Sequence, residues 1–583
     1  MNIIGISALY HDSACVLLQD GKLVAAVQEE RFTRRKNDNS MPYQALQYCL
    51  KQGGISICEV DFLAYYEDPF KKLERQLSSG YDANDPALKP LLNPNRAEYE
   101  IRHLLGYEKE IKFFDHHLSH AASSYYFSGY SEAAILTVDG VGEWATTTYG
   151  VAEDLKIDLF EQVNYPDSLG LFYAAFTSYL GFQVNSGEYK VMGLAPYGKP
   201  IYADIIRNWI EIGLKGQYVL SNQHFSFSGT SKMFTSLWEE ELGLPARVAE
   251  TEISQPYRDL ARSVQVVLEE ILINKANYLY NITEKKNLCM AGGVALNCVA
   301  NGKVLKQTPF EHLFVQPAAN DAGSALGAAA LAHVEVTGET PRRKPLPNVF
   351  LGSRFETNQV RHLLTSSGLI FHDFENDPDE MVLTVARRLK RGQVVGWHQG
   401  AMEFGPRALG GRSILADPRN AQMRDKINEM VKKREMFRPF APSVLESHAS
   451  EHFEMKDHSP FMLNTFQVTS DLDLPAITHV DRSARVQTIN ESQHFKYARL
   501  IQAFYDLTGC PILLNTSFNV RGQPIVHTPE DSLSCFLVSQ LDCLAIEDFL
   551  VEKPQDDHAY RVLLKSYQNF KQSDLPADVY TFL

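Results

Sequence analysis

The sequence predicts an α/β protein of two domains, the first of them built by duplication. Three observations carry this. A strand, an acidic or polar turn and a hairpin occur over residues 2–31 and again over 133–163, about 130 residues apart. Strand-to-helix turns made of small residues follow at 292–297 and 320–327. The stretch 336–350, VTGETPRRKPLPNVF, is rich in proline and charge, as inter-domain linkers are. At 583 residues the chain also exceeds what one hydrophobic core supports. Domains are therefore expected at 1–345 and 346–583.

In chain order, Ile3–Ser7, Ser13–Leu18 and Leu23–Val27 read as strands, with Asp20-Gly21 as a two-residue hairpin turn. The turn after the first strand holds Tyr10-His11-Asp12-Ser13. A charged tract, Glu29 to Lys36, precedes a helix over Tyr43–Gln52 and a strand over Val60–Tyr65. Residues 66–110 are polar and irregular and read as an insertion with helices. Ala134–Val138, Ala145–Val151 and Lys156–Val163 repeat the opening strands, with Asp139-Gly140 in the polar turn. A helix is expected from Ser168 to Leu180, then a loop beside a ligand over 187–198, then a long helix over 253–281. Duplicated units of this kind resemble the actin-like, sugar-kinase and Hsp70 fold, in which acidic turns face each other across a cleft.

The stretch 111–145 organises this half. His116 and His120 are four apart, which stacks both imidazoles on one helix face, whereas His117 points about 100° away. Asp139 ends the apolar run Ala134–Val138, and Asp321 lies in a second acidic turn, Asn320-Asp321-Ala322-Gly323. Two neutral imidazoles with carboxylates suit a divalent transition metal with open positions. A capping cluster at a helix start is the alternative. Leu288–Ala291 ends in Gly292-Gly293, and paired glycines let backbone N–H groups approach a phosphate or ribose.

In the second half, Met381–Leu389 reads as a helix, Val394–Trp397 and Pro511–Leu514 as buried strands. Arg407 and Arg412 in a Gly/Pro loop, followed by Asp417-Pro418-Arg419, suit an anion. Residues 432–438 carry four cations in seven positions in a protein of net charge −15. That overall charge disfavours an extended nucleic-acid interface. None of the eight cysteines forms a Cys-x-x-Cys pair, which points to buried thiols in a reducing compartment. No basic-then-apolar leader and no membrane-length apolar run is evident, so a cytoplasmic protein without membrane or nucleic-acid partners is expected.

Taken together, HDSA, EERFTRRK, DHHLSHAASSYY, GEYKVMGLAPYG, AGGVALN, NDAGSALGAA, EFGPRALGGRSILADPR, VKKREMFRPFAPS, SARVQT and LNTSFNVRGQPIV resemble the NodU/CmcH-type O-carbamoyltransferases, in order and over nearly the whole chain. The resemblance implies an N-terminal actin-like (ASKHA) domain of the threonylcarbamoyl-transferring type and a C-terminal YrdC-like α/β domain. It implies that carbamoyl phosphate and ATP, with Mg2+, yield carbamoyl-adenylate in the second domain. The first domain then passes the carbamoyl group to a hydroxyl of a small natural product, such as an antibiotic or other secondary metabolite. Position by position, it implies that His116, His120, Asp139 and Asp321 hold Fe2+ or another divalent metal. His11 and Asp12 would lie near the acceptor hydroxyl, and Lys36 near the carbamoyl or phosphate groups. Arg407, Lys432, Arg438, Arg485, Asn515 and Ser517 would form the adenylating pocket, and Gly292, Gly293 and Asn297 the nucleotide loop of the first domain. A homodimer is left open. A tRNA threonylcarbamoyl-adenosine-type enzyme, a small-molecule kinase of the actin-like fold and a non-enzymatic nucleotide sensor are the rival readings.

Overall fold

The computed structural model describes residues 1–554 except 214, 228–231, 342–344, 430–434 and 436. The described residues fall into two compact units, 1–29 with 37–346, and 30–36 with 347–554. The main break falls at 346/347, one residue after the boundary expected at 345/346, and the tract 30–36 goes with the second unit.

The first unit holds two five-stranded sheets. The first sheet contains β1 (Asn2–Ser7), β2 (Ala14–Gln19), β3 (Lys22–Gln28), β4 (Phe62–Tyr65) and β5 (Ile111–Phe113), in the order β3-β2-β1-β4-β5. The second contains β6 (Glu132–Val138), β7 (Ala145–Glu153), β8 (Lys156–Asn164), β9 (Asn287–Ala291) and β10 (His312–Val315), in the order β8-β7-β6-β9-β10. In each, the first three strands pair antiparallel and the last two run parallel to the first. The duplication is thus one of topology, and the unit is an actin-like α/β fold. Asp20 and Gly21, at φ 47° and 70°, make the tight turn between β2 and β3.

Each sheet's last strand is followed by a helix that covers the other sheet. α1 (His116–Ser128) follows β5 and packs on the second sheet; α2 (Asp321–Thr337) follows β10 and packs on β1, β2 and β4. Small residues make this crossing possible. A Cβ on Gly5 would lie 1.9 Å from the Ala325 carbonyl oxygen, so α2 lies directly on the β1 backbone.

Two expectations change here. Residues 187–198 are not a loop but a helix, Glu188–Leu194, with a 3-10 turn, Ala195–Tyr197. The Glu188 carboxylate accepts from the backbone N–H of Asn185 (2.9 Å) and Gly187 (3.0 Å), which fastens the helix start and explains the glycine and charge there. The strand expected over 511–514 runs on as Ile512–Ser517, so Asn515 and Ser517 lie within it.

The second unit is built on one mixed eight-stranded sheet: β11 (Phe371–Asp373), β12 (Val395–His398), β13 (Arg412–Ala416), β14 (Ala441–Leu445), β15 (Gln487–Ile489), β16 (Ile512–Ser517), β17 (Cys543–Ile546) and β18 (Phe549–Glu552). Their order is β11-β18-β17-β12-β13-β16-β14-β15. Helices Pro378–Lys390 and Phe495–Thr508 bury Met381, Val385, Leu389, Leu500, Ile501 and Phe504 in the same core as Trp397 and Leu513. Among the described residues no helix is long and apolar enough to cross a membrane.

Candidate active site

Four buried side chains of the first unit meet at one point. His116 and Asp321 are the first residues of α1 and α2, and Asp139 directly follows β6. His120 lies one turn beyond His116, its ring 4.6 Å from it. His116 Nε2 stands 3.1 Å from Asp139 Oδ2 and 3.7 Å from Asp321 Oδ1; His120 Nε2 stands 3.5 Å and 3.6 Å from the same two oxygens. One ligand atom from each of the four residues lies within 4.8 Å of every other.

The donor set fits a divalent cation. Metal–ligand bonds of about 2.0–2.2 Å place neighbouring ligands about 3–3.5 Å apart, close to the separations found. Both oxygens of fully buried Asp321, and His120 Nε2, have no hydrogen-bond partner among the described residues. An ionised carboxylate left so is costly unless a positive charge joins it. The outer contacts aim the ligands: His120 Nδ1 meets Ser324 Oγ at 3.0 Å, so Nε2 is turned inward. Asp139 Oδ1 accepts from Gly293 N at 2.7 Å, leaving Oδ2 for the histidines. Glu143 Oε1 accepts from the backbone N–H of His116 (2.9 Å) and Asp68 (2.8 Å), doing at the start of α1 what the Asp115 side chain does not.

The charges agree with the geometry. Burial lowers the His116 pKa, but Asp321 and Asp139 outweigh it and raise the ring to about 9. Burial raises that of Asp139, yet the His116 hydrogen bond and the facing His120 imidazole hold it well below the usual carboxylate range. His117 stands apart: its Nδ1 meets Thr137 Oγ1 at 2.6 Å, and burial next to two other imidazoles pushes it down to about 3.

His11 joins the group from the turn after β1, where Leu9 and Asp12 take φ of 70° and 53°. Its Nδ1 lies 3.1 Å from Asp12 Oδ2 and 3.7 Å from Asp321 Oδ2. Burial lowers its pKa, but Asp321 and Asp12 raise it to about 9. Gly292 requires its glycine: φ is 94° and a Cβ would lie 2.2 Å from Val138 O. Asn297 is engaged by the protein at both ends of its amide. Its Oδ1 accepts from Ala300 N (3.1 Å), capping helix Cys298–Gln307, and its Nδ2 donates to Gln265 Oε1 (3.0 Å).

Sequence reasoning missed four residues here: Glu143, Ser324, Gln265 and Tyr66. The buried Tyr66 hydroxyl has no partner among the described residues, and its ring lies 5.3 Å from that of His116. Helix Pro69–Ser78 also turns its polar face inward, burying Lys72, Arg75 and Gln76 while Phe70 is exposed. Its residues carry no motif, and only the inverted pattern of polarity signals it.

In the second unit the structure brings Asn515 to the loop that carries Arg407. Asn515 Nδ2 donates to Ala408 O (3.3 Å), Ser443 Oγ (3.0 Å) and Gln487 Oε1 (3.1 Å), while its Oδ1 has no partner among the described residues. Gln487 Nε2 donates to Leu409 O at 2.8 Å. Arg485, two residues earlier, is half-buried, and its Nε is buried without a hydrogen-bond partner among the described residues. Ser517 Oγ donates to Asn519 Oδ1 at 2.8 Å. Arg438 is half-buried and faces Glu435 Oε2 at 3.5 Å. Lys432 lies outside the described residues, and Lys36 belongs to the second unit, not to the one that holds His11.

Two arginines expected at an anion have other work. Arg412 is fully buried and donates to the carbonyls of Gln399, Gly400, Gly411, Ser353 and His527 at 3.0–3.3 Å. Arg419 is held by Asp417 through two contacts of 3.0 and 2.7 Å.

Similarity to known proteins adds to this geometry. Residues 2–330 match the family described as Carbamoyltransferase N-terminus, and 386–553 the one described as Carbamoyltransferase C-terminus. An uncharacterised protein of Synechocystis is 43% identical over 95% of this chain and 97% of its own. The Nodulation protein NolNO of Sinorhizobium fredii is 39% identical over 96% of this chain and 82% of its own. A protein of Methanocaldococcus jannaschii is 30% identical over 95% and 100%. The crystal structure of T. kodakarensis HypF overlays 59% of this chain and 50% of that one, at 15% identity and a TM-score of 0.32.

Proposed function

The chain belongs to the carbamoyltransferase family, and from that premise we propose that it is an ATP-dependent O-carbamoyltransferase acting on a small-molecule hydroxyl. One observation carries the reading: two imidazoles and two carboxylates converge, buried, in the first unit, and both Asp321 oxygens lack a partner among the described residues. In this reading the second unit, taken as YrdC-like, forms carbamoyl-adenylate. Water cleaves carbamoyl phosphate to carbamate and inorganic phosphate; a carbamate oxygen then attacks the α-phosphorus of ATP, accompanied by Mg2+, and pyrophosphate leaves. Carbamate is a poor electrophile, and AMP is the leaving group that corrects this. Arg407, Lys432, Arg438 and Arg485 are assigned to the phosphates, whose charges repel as the two substrates meet. Asn515 Oδ1 and Ser517 are assigned to the nucleotide.

In the first unit His116, His120, Asp139 and Asp321 would hold the cation, with iron(II) as the family resemblance implies. When bound, it supplies a Lewis acid for the carbamoyl oxygen or the adenylate phosphate. Gly292 and Gly293 are assigned to the nucleotide, their backbone held close to Asp139. His11 takes the proton of the acceptor hydroxyl as its oxygen attacks the carbamoyl carbon and AMP departs. Asp321, the first of the carboxylates that hold His11 protonated, is one a cation would neutralise, which moves the ring toward acting as a base. Lys36 is assigned to the carbamoyl donor.

A screen of hydroxyl compounds with labelled carbamoyl phosphate and ATP tests the reading. Label in an acceptor, dependent on both donors, is expected. Label in tRNA would favour a modification enzyme instead, and phosphate on the acceptor would favour a kinase.

A further inference from the structure

The charged tract 30–36 lies between strands of the first unit in sequence but is built into the second. Arg31, 2% exposed, donates through Nη2 to Gly405 O at 2.7 Å and pairs with Glu30 Oε1 at 3.0 Å. Arg34 donates to Ile525 O at 2.7 Å and Pro524 O at 3.0 Å. Phe32 packs edge-on against His527, ring centroids 4.6 Å apart. One short segment, Glu30–Arg34, thereby holds two loops, 405–411 and 524–527.

The loop 405–411 depends on such contacts. Gly405 and Gly410 take φ of 120° and 112° on either side of Arg407, a backbone course with little intrinsic preference to hold it. Its far end is tied by Glu403, whose Oε1 accepts from the N–H of Leu409 (2.8 Å), Gly411 (2.7 Å) and Arg412 (3.1 Å). At its near end Arg31 meets the Gly405 carbonyl.

We propose that Arg31 and Arg34 are positioning residues of the adenylating half, fixing from the N-terminal tract the loop that presents Arg407 to carbamoyl phosphate. The inference rests on the function proposed above. It means that the second half's chemistry needs residues encoded more than three hundred positions before it.

Carbamoyl-adenylate formation by the full-length protein tests it. Arg31→Met should raise KM for carbamoyl phosphate at least about tenfold, since displacing an anion-binding loop by an ångström is enough for that. KM for ATP and the use of supplied carbamoyl-adenylate should stay near wild type. Arg31→Lys should restore part of the loss, and Arg34→Gln, at a partly exposed position, should reproduce it more weakly. Amide exchange should quicken in 405–411 and not in β16. Wild-type KM for carbamoyl phosphate in both Arg31→Met and Arg34→Gln would overturn the inference alone. Equal loss of both half-reactions, unrelieved by Arg31→Lys, would also overturn it, since that marks a general folding role. A wild-type protein that makes no carbamoyl-adenylate would overturn the functional reading, and the inference with it.

Discussion

Gly327 and Ser119 are in backbone contact: a Cβ on Gly327 would lie 1.8 Å from the Ser119 carbonyl oxygen. This contact sets α2 against α1 and brings Asp321 level with the two histidines. Gly327→Val must therefore push the helices apart. An overpacking loss of about 1–3 kcal/mol is expected, together with loss of bound metal. Urea unfolding and metal content measure both; a variant that keeps full metal content would contradict this account of how the site is placed.

Metal binding is the second expectation. Asp321→Ala should weaken affinity for a divalent cation at least about 100-fold, and Ser324→Ala, which frees the His120 ring, about 10-fold. Titration of the chelated protein with iron(II) or a spectroscopic surrogate reads this. Equal affinity in wild type and Asp321→Ala would show that the four side chains hold no cation.

Arg407 and Arg412 lie five positions apart, one in the glycine-rich loop and the other opening β13, and they should fail differently. Arg412→Ala leaves buried carbonyls without donors and should cost at least about 3 kcal/mol of stability. Arg407→Ala should leave the unfolding curve within about 0.5 kcal/mol and block carbamoyl-adenylate formation. The reverse pattern would mean that their assignments are exchanged.

Acid should weaken the second unit. Burial, with Arg412 adding to it, holds His398 well below its ordinary value and His527 down to about 3; burial also takes His494 down to about 4. In the unfolded chain each titrates near 6.5. Below that pH the unfolded chain takes up protons the folded one refuses, so stability falls from about pH 6.5 downward until the folded values are reached. The loss is about 1.4 kcal/mol per histidine at pH 5.5. His527→Gln should flatten the curve between pH 7.5 and 5.5 by that amount, and an unchanged slope would refute the assignment of a neutral ring.

Much of the first unit was legible in the sequence because its signals are local. The Asp20-Gly21 turn, the His116/His120 spacing and Asp139 at a strand end each declare themselves within a few residues. How the two copies interlock was not read. His116 and Asp321 occupy matching positions, each opening the helix after the fifth strand of its sheet, but no short-range pattern shows that the two helices exchange sheets. Glu143, Ser324 and Gln265 act on residues 27, 204 and 32 positions away, so only the folded chain reveals them. Arg412 misled for a related reason: an arginine that satisfies carbonyls and one that awaits an anion look alike in a glycine-rich loop. The tract 30–36 misled because chain order placed it in the wrong half.

The central claim is that an activated carbamoyl group is made in one unit and used at the buried histidine–aspartate group of the other. The most direct test is the product formed from ATP and carbamoyl phosphate in the absence of any acceptor. Wild type and Asp321→Ala should both give carbamoyl-adenylate and pyrophosphate, and Arg407→Ala neither. ATP converted to ADP without any need for carbamoyl phosphate, or adenylate formation lost in Asp321→Ala and kept in Arg407→Ala, would contradict it.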